Sequence, residues 1–122
     1  MFRYILPFAL LVSPAMAQQR SSTDVVPIDC SGSITSGTTT QNALAASHGR
    51  QGFHIQNLDT TEPLWMNLNT TAAANTSGSY ALAAATATTL QNGGSYYSTF
   101  GFNKAVSVVA ATTGHKFSCT QW

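Results

Sequence analysis

The chain has 122 residues, of which only 7% are charged, and its formal net charge is +1. This length suits a single domain with a modest core. The absence of a basic stripe excludes a nucleic-acid binder, because phosphates must be neutralised by lysine or arginine, and there is no polybasic run for an acidic membrane surface.

The first seventeen residues have the pattern of a secretory signal peptide. Arg3 gives a positive start, an apolar run follows, and small residues precede a predicted cleavage between Ala17 and Gln18. The run is shorter than the roughly 20 residues of a membrane-spanning helix, so we expect no permanent membrane anchor. The alternative is that residues 1–17 are retained as an arm. Cleavage predicts export to a periplasmic or extracellular location.

The remainder of the chain predicts one β domain at residues 25–122, after a flexible polar N-terminus at residues 18–24. Residues 42–46 predict a short strand or a helical turn, and residues 83–90 a helix or a strand edge. About eight short strands, with turn signals about every ten residues, predict an all-β antiparallel sandwich or jelly-roll-like domain. The predicted runs are residues 25–30, 33–40, 42–46, 52–58, 64–69, 80–82, 95–100, 105–111 and 115–121.

Side-chain alternation assigns faces to the clearest strands. Phe53 and Ile55 share one face of residues 52–58, and Leu64 and Met66 share one face of residues 64–69, so that Trp65 points the other way. A five-residue polar loop joins these two strands. The pattern therefore predicts that they pair as a β-hairpin.

The chain has two cysteines, Cys30 and Cys119, near opposite ends of the predicted domain. In an exported protein this pair predicts one disulfide between the first and last strands. Closing so long a loop stabilises by roughly 4–5 kcal/mol in the chain-entropy model, as an upper figure. The alternative is a pair of free or intermolecular thiols.

Three segments together resemble small β-sandwich structural proteins of tailed bacteriophages and prophages. They are residues 50–57 (RQGFHIQN), 63–66 (PLWM) and 105–117 (AVSVVAATTGHKF), and the likeness covers residues 43–122 in patches. The resemblance implies a virion component on the head or tail surface, with no catalysis. The signal peptide and the predicted disulfide depart from that pattern, because virions are assembled in the cytoplasm.

Few residues suggest chemistry. The spacing of His48, His54 and His115 matches no compact metal-ligand motif, so we expect histidines at the surface or on edge strands and no metal or cofactor. Asp59 and Glu62 lie in one turn, where Asp59 is expected to accept hydrogen bonds from backbone amides. Arg50 is expected to pair with one of these two carboxylates. No nucleophile elbow or phosphate-binding glycine loop is present, so we expect no enzyme.

Aromatic side chains are the best candidates for an interaction surface, and we single out Trp65, Tyr97 and Trp122. With so little charge, they favour a structural protein that packs against other proteins as one of many copies or a homo-oligomer, and the resemblance implies that it does so on a virion surface. The alternative is a secreted carbohydrate- or cell-surface-binding module, in which a glycan is the partner.

Overall fold

A computed structural model describes residues 25–86 and 92–122. The predicted signal peptide, its cleavage between Ala17 and Gln18, and the predicted flexible segment 18–24 lie outside the described residues. So do residues 87–90, the second half of the segment predicted to be a helix or a strand edge. Within the described ranges, no helix is long and apolar enough to cross a membrane.

The described residues form an all-β structure of nine short strands and no α-helix, as the turn spacing predicts. The strands are β1 (Ile28–Asp29), β2 (Gly32–Ser33), β3 (Gln41–Leu44), β4 (Phe53–Asn57), β5 (Leu64–Asn67), β6 (Tyr80–Leu82), β7 (Ser95–Ser98), β8 (Val106–Val109) and β9 (Lys116–Gln121). Residues 42–46 thus contain a strand, which was one of the two alternatives.

The strands form two antiparallel sheets. In sheet A the order is β1-β9-β4-β7, and β2 continues the edge of β1 by pairing with the other end of β9. In sheet B the order is β3-β8-β5-β6. The longest pairing joins β4 to β9, from Phe53 opposite Gln121 to Asn57 opposite Phe117.

Alternating side chains from the two sheets meet in one core. Phe53 and Ile55 of β4 are fully buried, as are Leu64 and Met66 of β5, which confirms the predicted faces. Val108 of β8 lies in the same cluster. Burying one face of each sheet against the other provides the main stabilisation of such a two-layer structure.

The predicted hairpin of β4 and β5 is wrong. β4 pairs with β7 and β9 in sheet A, whereas β5 pairs with β6 and β8 in sheet B, so the connection crosses between the sheets. The Asn57 side chain is one reason. Its Nδ2 donates to the carbonyl oxygens of Glu62 at 2.8 Å and Leu82 at 3.0 Å, which ties the end of β4 to sheet B.

A second crossing links β8 in sheet B to β9 in sheet A through a turn at Gly114, whose φ is 85°. This positive φ favours glycine, which accounts for the turn signal in the sequence. The predicted strand at residues 33–40 is largely replaced by bends and a turn, in which the Thr39 amide donates to the Ser36 carbonyl at 3.2 Å and Thr38 has a φ of 63°. Before this turn, Ile34 still bonds to the Gly114 turn. Its amide donates to His115, and its carbonyl accepts from Gly114.

The predicted disulfide joins Cys30 to Cys119 across 89 residues of sequence, with a Cα–Cα distance of 4.7 Å. Cys30 lies between β1 and β2, and Cys119 is buried in β9. The bond therefore fixes the first described strands to the last one, as predicted. A disulfide is compatible with an oxidising, exported environment.

Candidate functional site

Two of the three aromatic residues singled out from the sequence meet on the outer face of sheet A. The ring centroids of Tyr97 and Trp122 are 5.4 Å apart, with an angle of 35° between the ring planes. His54 lies beside Tyr97, with 6.2 Å between the ring centroids, because the two residues are paired across β4 and β7. We call His54, Tyr97 and Trp122 the aromatic platform.

The backbone of Gly52 positions the indole of Trp122. Each residue donates its amide to the other's carbonyl at 3.0 Å, which extends the pairing of β4 and β9 by one step. A Cβ on Gly52 would lie 2.5 Å from Trp122 Cζ2, so the ring packs directly on the bare backbone of this glycine. The close approach holds the indole at the edge of the sheet.

The aromatic platform is accessible, and its nearest outward neighbours are polar. Tyr97 is 62% exposed, whereas Trp122 and His54 are partly buried. By alternation along β4 and β9, the neighbouring outward side chains include Gln56 and Thr120, which are polar and uncharged. Rigid aromatic rings on such a surface offer contact area at a low cost in side-chain entropy.

Trp65 lies on the other sheet, away from the aromatic platform. Its strand neighbours Leu64 and Met66 are buried in the core, so the indole faces outward from sheet B and is partly buried. There it lines a groove of about 430 Å³ together with Val109 of the adjacent strand β8 and residues 71–74 of a loop. The structure therefore separates the three aromatic candidates into two surfaces.

The loop that borders this groove is bound to the outer face of sheet B. Ser107 Oγ accepts from the amide of Ala72 at 2.8 Å and donates to the carbonyl of Thr70 at 2.7 Å. Thr40 Oγ1 donates to the carbonyl of Ala72 at 2.7 Å. These bonds hold the loop as a wall of the groove and bury Ser107 and Val109 on a face that would otherwise be exposed.

His115 contradicts the expectation that the histidines lie at the surface, because it is only 1% exposed. Its Nε2 lies 2.9 Å from Asn57 Oδ1, and its Nδ1 lies 3.8 Å from Asp59 Oδ2. Burial lowers the pKa of His115 below its ordinary value of 6.5, although the charges of Asp59 and Glu62 oppose this effect. Access to a substrate is excluded at so buried a position.

Asp59 fixes the crossing turn, as predicted. Its Oδ1 accepts from the amide and the hydroxyl of Thr61 at 2.8 and 2.7 Å, and from the amide of Glu62 at 3.1 Å. The hydrogen bonds from Thr61 lower the pKa of Asp59 below its ordinary value of 3.8. This carboxylate is therefore occupied by the turn and is poorly suited to acid–base catalysis.

Arg50 does not pair with either carboxylate of that turn. It is 4% exposed, and its Nη1 donates to the carbonyl oxygens of Phe102 at 3.2 Å and Lys104 at 3.0 Å. Nη2 donates to the carbonyl of Ala45, and Nε donates to Gln121 Oε1 at 3.0 Å. Arg50 therefore joins its own loop to the loop before β8 and to the end of β9, and burial lowers its pKa.

The sequence contained a signal for the buried pair that the interpretation missed. Alternation from the core residues Phe117 and Cys119 places His115 on the same inner face, and alternation from Phe53 and Ile55 does so for Asn57. Among the residues that the structure describes, no group of three or more His, Cys, Asp or Glu side chains is arranged to hold a metal ion.

Comparison with known proteins adds no relative to this picture. The chain matches no family model, no curated protein and no solved structure.

Proposed function

We propose that the chain is a non-enzymatic structural protein, a surface or decoration component of a phage-type virion that works by packing against other proteins in many copies. The observation that carries this proposal is the pair of adjoining rings on the outer face of sheet A, formed by exposed Tyr97 and partly buried Trp122. Contacts of this kind depend on aromatic side chains at the centre of an interface. The patchwise sequence resemblance supports the same assignment.

The low charge of the chain supports assembly in many copies. Residues 25–122 contain three cations, Arg50, Lys104 and Lys116, against Asp29, Asp59 and Glu62, and Arg50 is buried. Net charge is one of the properties that keep proteins apart in solution, and this domain has none. Identical copies of the domain therefore carry no net charge that would repel one another.

The proposal is tested with protein produced from the full chain. Sedimentation velocity over a range of concentrations should show association, and cosedimentation should show binding to assembled phage head or tail particles. Tyr97→Ser should weaken both, because Tyr97 is exposed and its ring contacts lie within the aromatic platform. Tyr80→Ser removes a half-exposed tyrosine from β6 in the other sheet and serves as the matched control.

A protein that stays monomeric at high concentration and binds no virion particle would refute this function. Equal loss of association in Tyr97→Ser and Tyr80→Ser would remove the aromatic platform as the contact.

A second candidate function is a secreted carbohydrate- or cell-surface-binding module. The aromatic platform favours it, because adjoining rings beside amide and hydroxyl side chains on a sheet face suit stacking on sugar rings. A glycan array should then give hits that Tyr97→Ser removes and that soluble sugar displaces. An array without hits would eliminate this candidate.

The location of the natural protein is tested separately. Export with cleavage between Ala17 and Gln18 predicts an intact mass that lacks the first 17 residues, with Gln18 at the N-terminus. A mass that includes residues 1–17 would instead favour their retention as an arm in an assembled particle.

A further inference from the structure

The groove on the outer face of sheet B is not used by the proposed function. It is lined by Trp65 and Val109 from adjacent strands, by Glu62 and Pro63 ahead of β5, and by the loop of residues 71–74. Its volume of about 430 Å³ lies within the range of sites that bind small organic molecules.

The described side chains that line the groove carry negative charge only. Glu62 is the single ionisable residue among the described side chains that line it, and the others are apolar or carry a hydroxyl. Glu62 Oε2 accepts from Thr112 Oγ1 at 3.0 Å, and no described lysine or arginine forms an ion pair with this carboxylate. The groove thus combines an indole, an apolar wall and one uncompensated negative charge.

This combination complements a cation that is itself largely apolar. An indole attracts a cation placed over its face within about 6 Å, and the attraction grows as water is excluded. A primary ammonium would bring three N–H donors that apolar walls leave without acceptors. A quaternary ammonium has no N–H donor and is covered by methyl groups, so it loses fewer hydrogen bonds on entering the groove.

We propose that the groove binds a quaternary ammonium group of the choline class, held between the Trp65 indole and the Glu62 carboxylate. The ligand is a small molecule or a headgroup that carries this cation. The site lies on the sheet opposite to the aromatic platform, so its binding and the assembly of copies are separate properties that separate variants remove.

A fluorescence titration tests this site. Trp122→Phe leaves Trp65 as the single tryptophan, because the chain has two. Choline chloride, titrated at constant ionic strength against sodium chloride, should change Trp65 emission in a saturable way. The neutral isostere 3,3-dimethylbutan-1-ol has the same shape without the charge and should bind at least roughly tenfold more weakly.

Paired carboxylate variants test the role of Glu62 in the same background. Glu62→Gln keeps the hydrogen bond to Thr112 and should weaken choline binding by roughly three- to tenfold, without affecting the isostere. Asp29→Asn removes the same charge from the opposite sheet and should leave choline binding unchanged. Tyr97→Ser should also bind choline normally.

Four outcomes would overturn the proposal. They are an absence of any saturable response to choline, equal affinity for choline and its isostere, equal effects of Glu62→Gln and Asp29→Asn, and tighter binding of a neutral sugar such as methyl glucoside than of choline.

Discussion

His115 Nε2 meets Asn57 Oδ1 at 2.9 Å inside the sandwich, where the end of β4 faces the start of β9. Asn57 directs its Nδ2 toward backbone carbonyls, so its oxygen is the atom that faces the imidazole. Neutral His115 therefore carries its proton on Nε2. Its Nδ1 is then an unprotonated atom 3.8 Å from Asp59 Oδ2, with no hydrogen-bond partner among the described residues.

Replacing Asn57 with alanine should be strongly destabilising. The change would leave the buried carbonyl of Leu82 without its donor and remove the acceptor of His115. We expect the free energy of unfolding to fall by about 2–4 kcal/mol, because buried polar groups lose their partners at both ends of one side chain. Urea denaturation measures the difference.

Asn42→Ala is the matched control for that variant. Asn42 is exposed in β3, so the same change there should cost less than about 0.5 kcal/mol. Similar losses at Asn42 and Asn57 would show that the buried network contributes nothing beyond strand propensity.

The stability of the protein should fall as the solution is acidified below pH 6.5. Burial lowers the pKa of His115 in the folded state, so the unfolded chain binds a proton there first. The loss begins below the ordinary value of 6.5 and continues until the folded pKa is passed, with a slope of at most about 1.4 kcal/mol per pH unit. Urea denaturation at a series of pH values measures this slope.

Two variants separate His115 from the other titrating groups. His48→Gln changes an exposed histidine and should keep the slope, whereas His115→Gln should flatten it in the range just below pH 6.5. Asp59→Asn removes a charge that raises the His115 pKa, so it should steepen the loss. An unchanged slope in His115→Gln would contradict this assignment.

A second loss of stability should occur as the solution is acidified below pH 3.8. In the folded protein the pKa values of Asp29 and Asp59 lie below their ordinary value of 3.8. Hydrogen bonds from Ser31 and Thr61, respectively, favour the charged forms of these carboxylates in the folded protein. Their contribution is present above pH 3.8 and is lost as they become protonated.

Period-two alternation carries most of what the sequence predicts correctly. It assigns Phe53, Ile55, Leu64 and Met66 to the core, and it places Trp65 on the opposite face from its neighbours. These assignments succeed because a strand with one buried face has its side-chain pattern fixed by local geometry. The disulfide could be predicted equally well, because the chain has no other cysteine to pair with Cys30.

Strand pairing could not be predicted from the sequence in the same way. The loop after Asn57 has the length and polarity of a hairpin loop, yet it crosses between sheets because Asn57 bonds to carbonyls of Glu62 and Leu82. Leu82 is 25 residues away, and no local pattern marks such a contact. The meeting of Tyr97 and Trp122 depends likewise on the order β9-β4-β7, which short strands do not specify by their sequence.

Reducing the disulfide should destabilise the fold. Reductant breaks no other disulfide, because Cys30 and Cys119 are the two cysteines of the chain. We expect reductant to lower the free energy of unfolding by about 2–5 kcal/mol, because the unfolded chain gains freedom over the 89-residue separation. Cys30→Ala with Cys119→Ala should match the reduced protein. A reduced protein as stable as the oxidised one would contradict the expected contribution.

Arg50→Met should destabilise the end of the sandwich where its guanidinium joins the loops. The carbonyl oxygens of Phe102 and Lys104 would lose their donor, while the buried side-chain volume is largely kept. We expect a loss of about 2–4 kcal/mol in the free energy of unfolding.

Lys116→Met removes the same charge from an exposed position and should cost less than about 0.5 kcal/mol. Hydrogen exchange should show the loss of protection concentrated at residues 45–52 and 102–104 in Arg50→Met, and a uniform change would contradict the local role.

Gly52→Ala should displace the indole of Trp122 from the aromatic platform. The new Cβ would lie 2.5 Å from both Trp122 Cζ2 and the carbonyl oxygen of Ser98, so either the ring or the strand must move. We expect a loss of about 1–3 kcal/mol in the free energy of unfolding and a shift of Trp122 emission, measured with Trp65→Phe as the background. Gly49→Ala is the control, because a Cβ there has no neighbour within 4 Å and should change neither quantity. Unchanged emission in Gly52→Ala would show that Trp122 does not rest on this glycine.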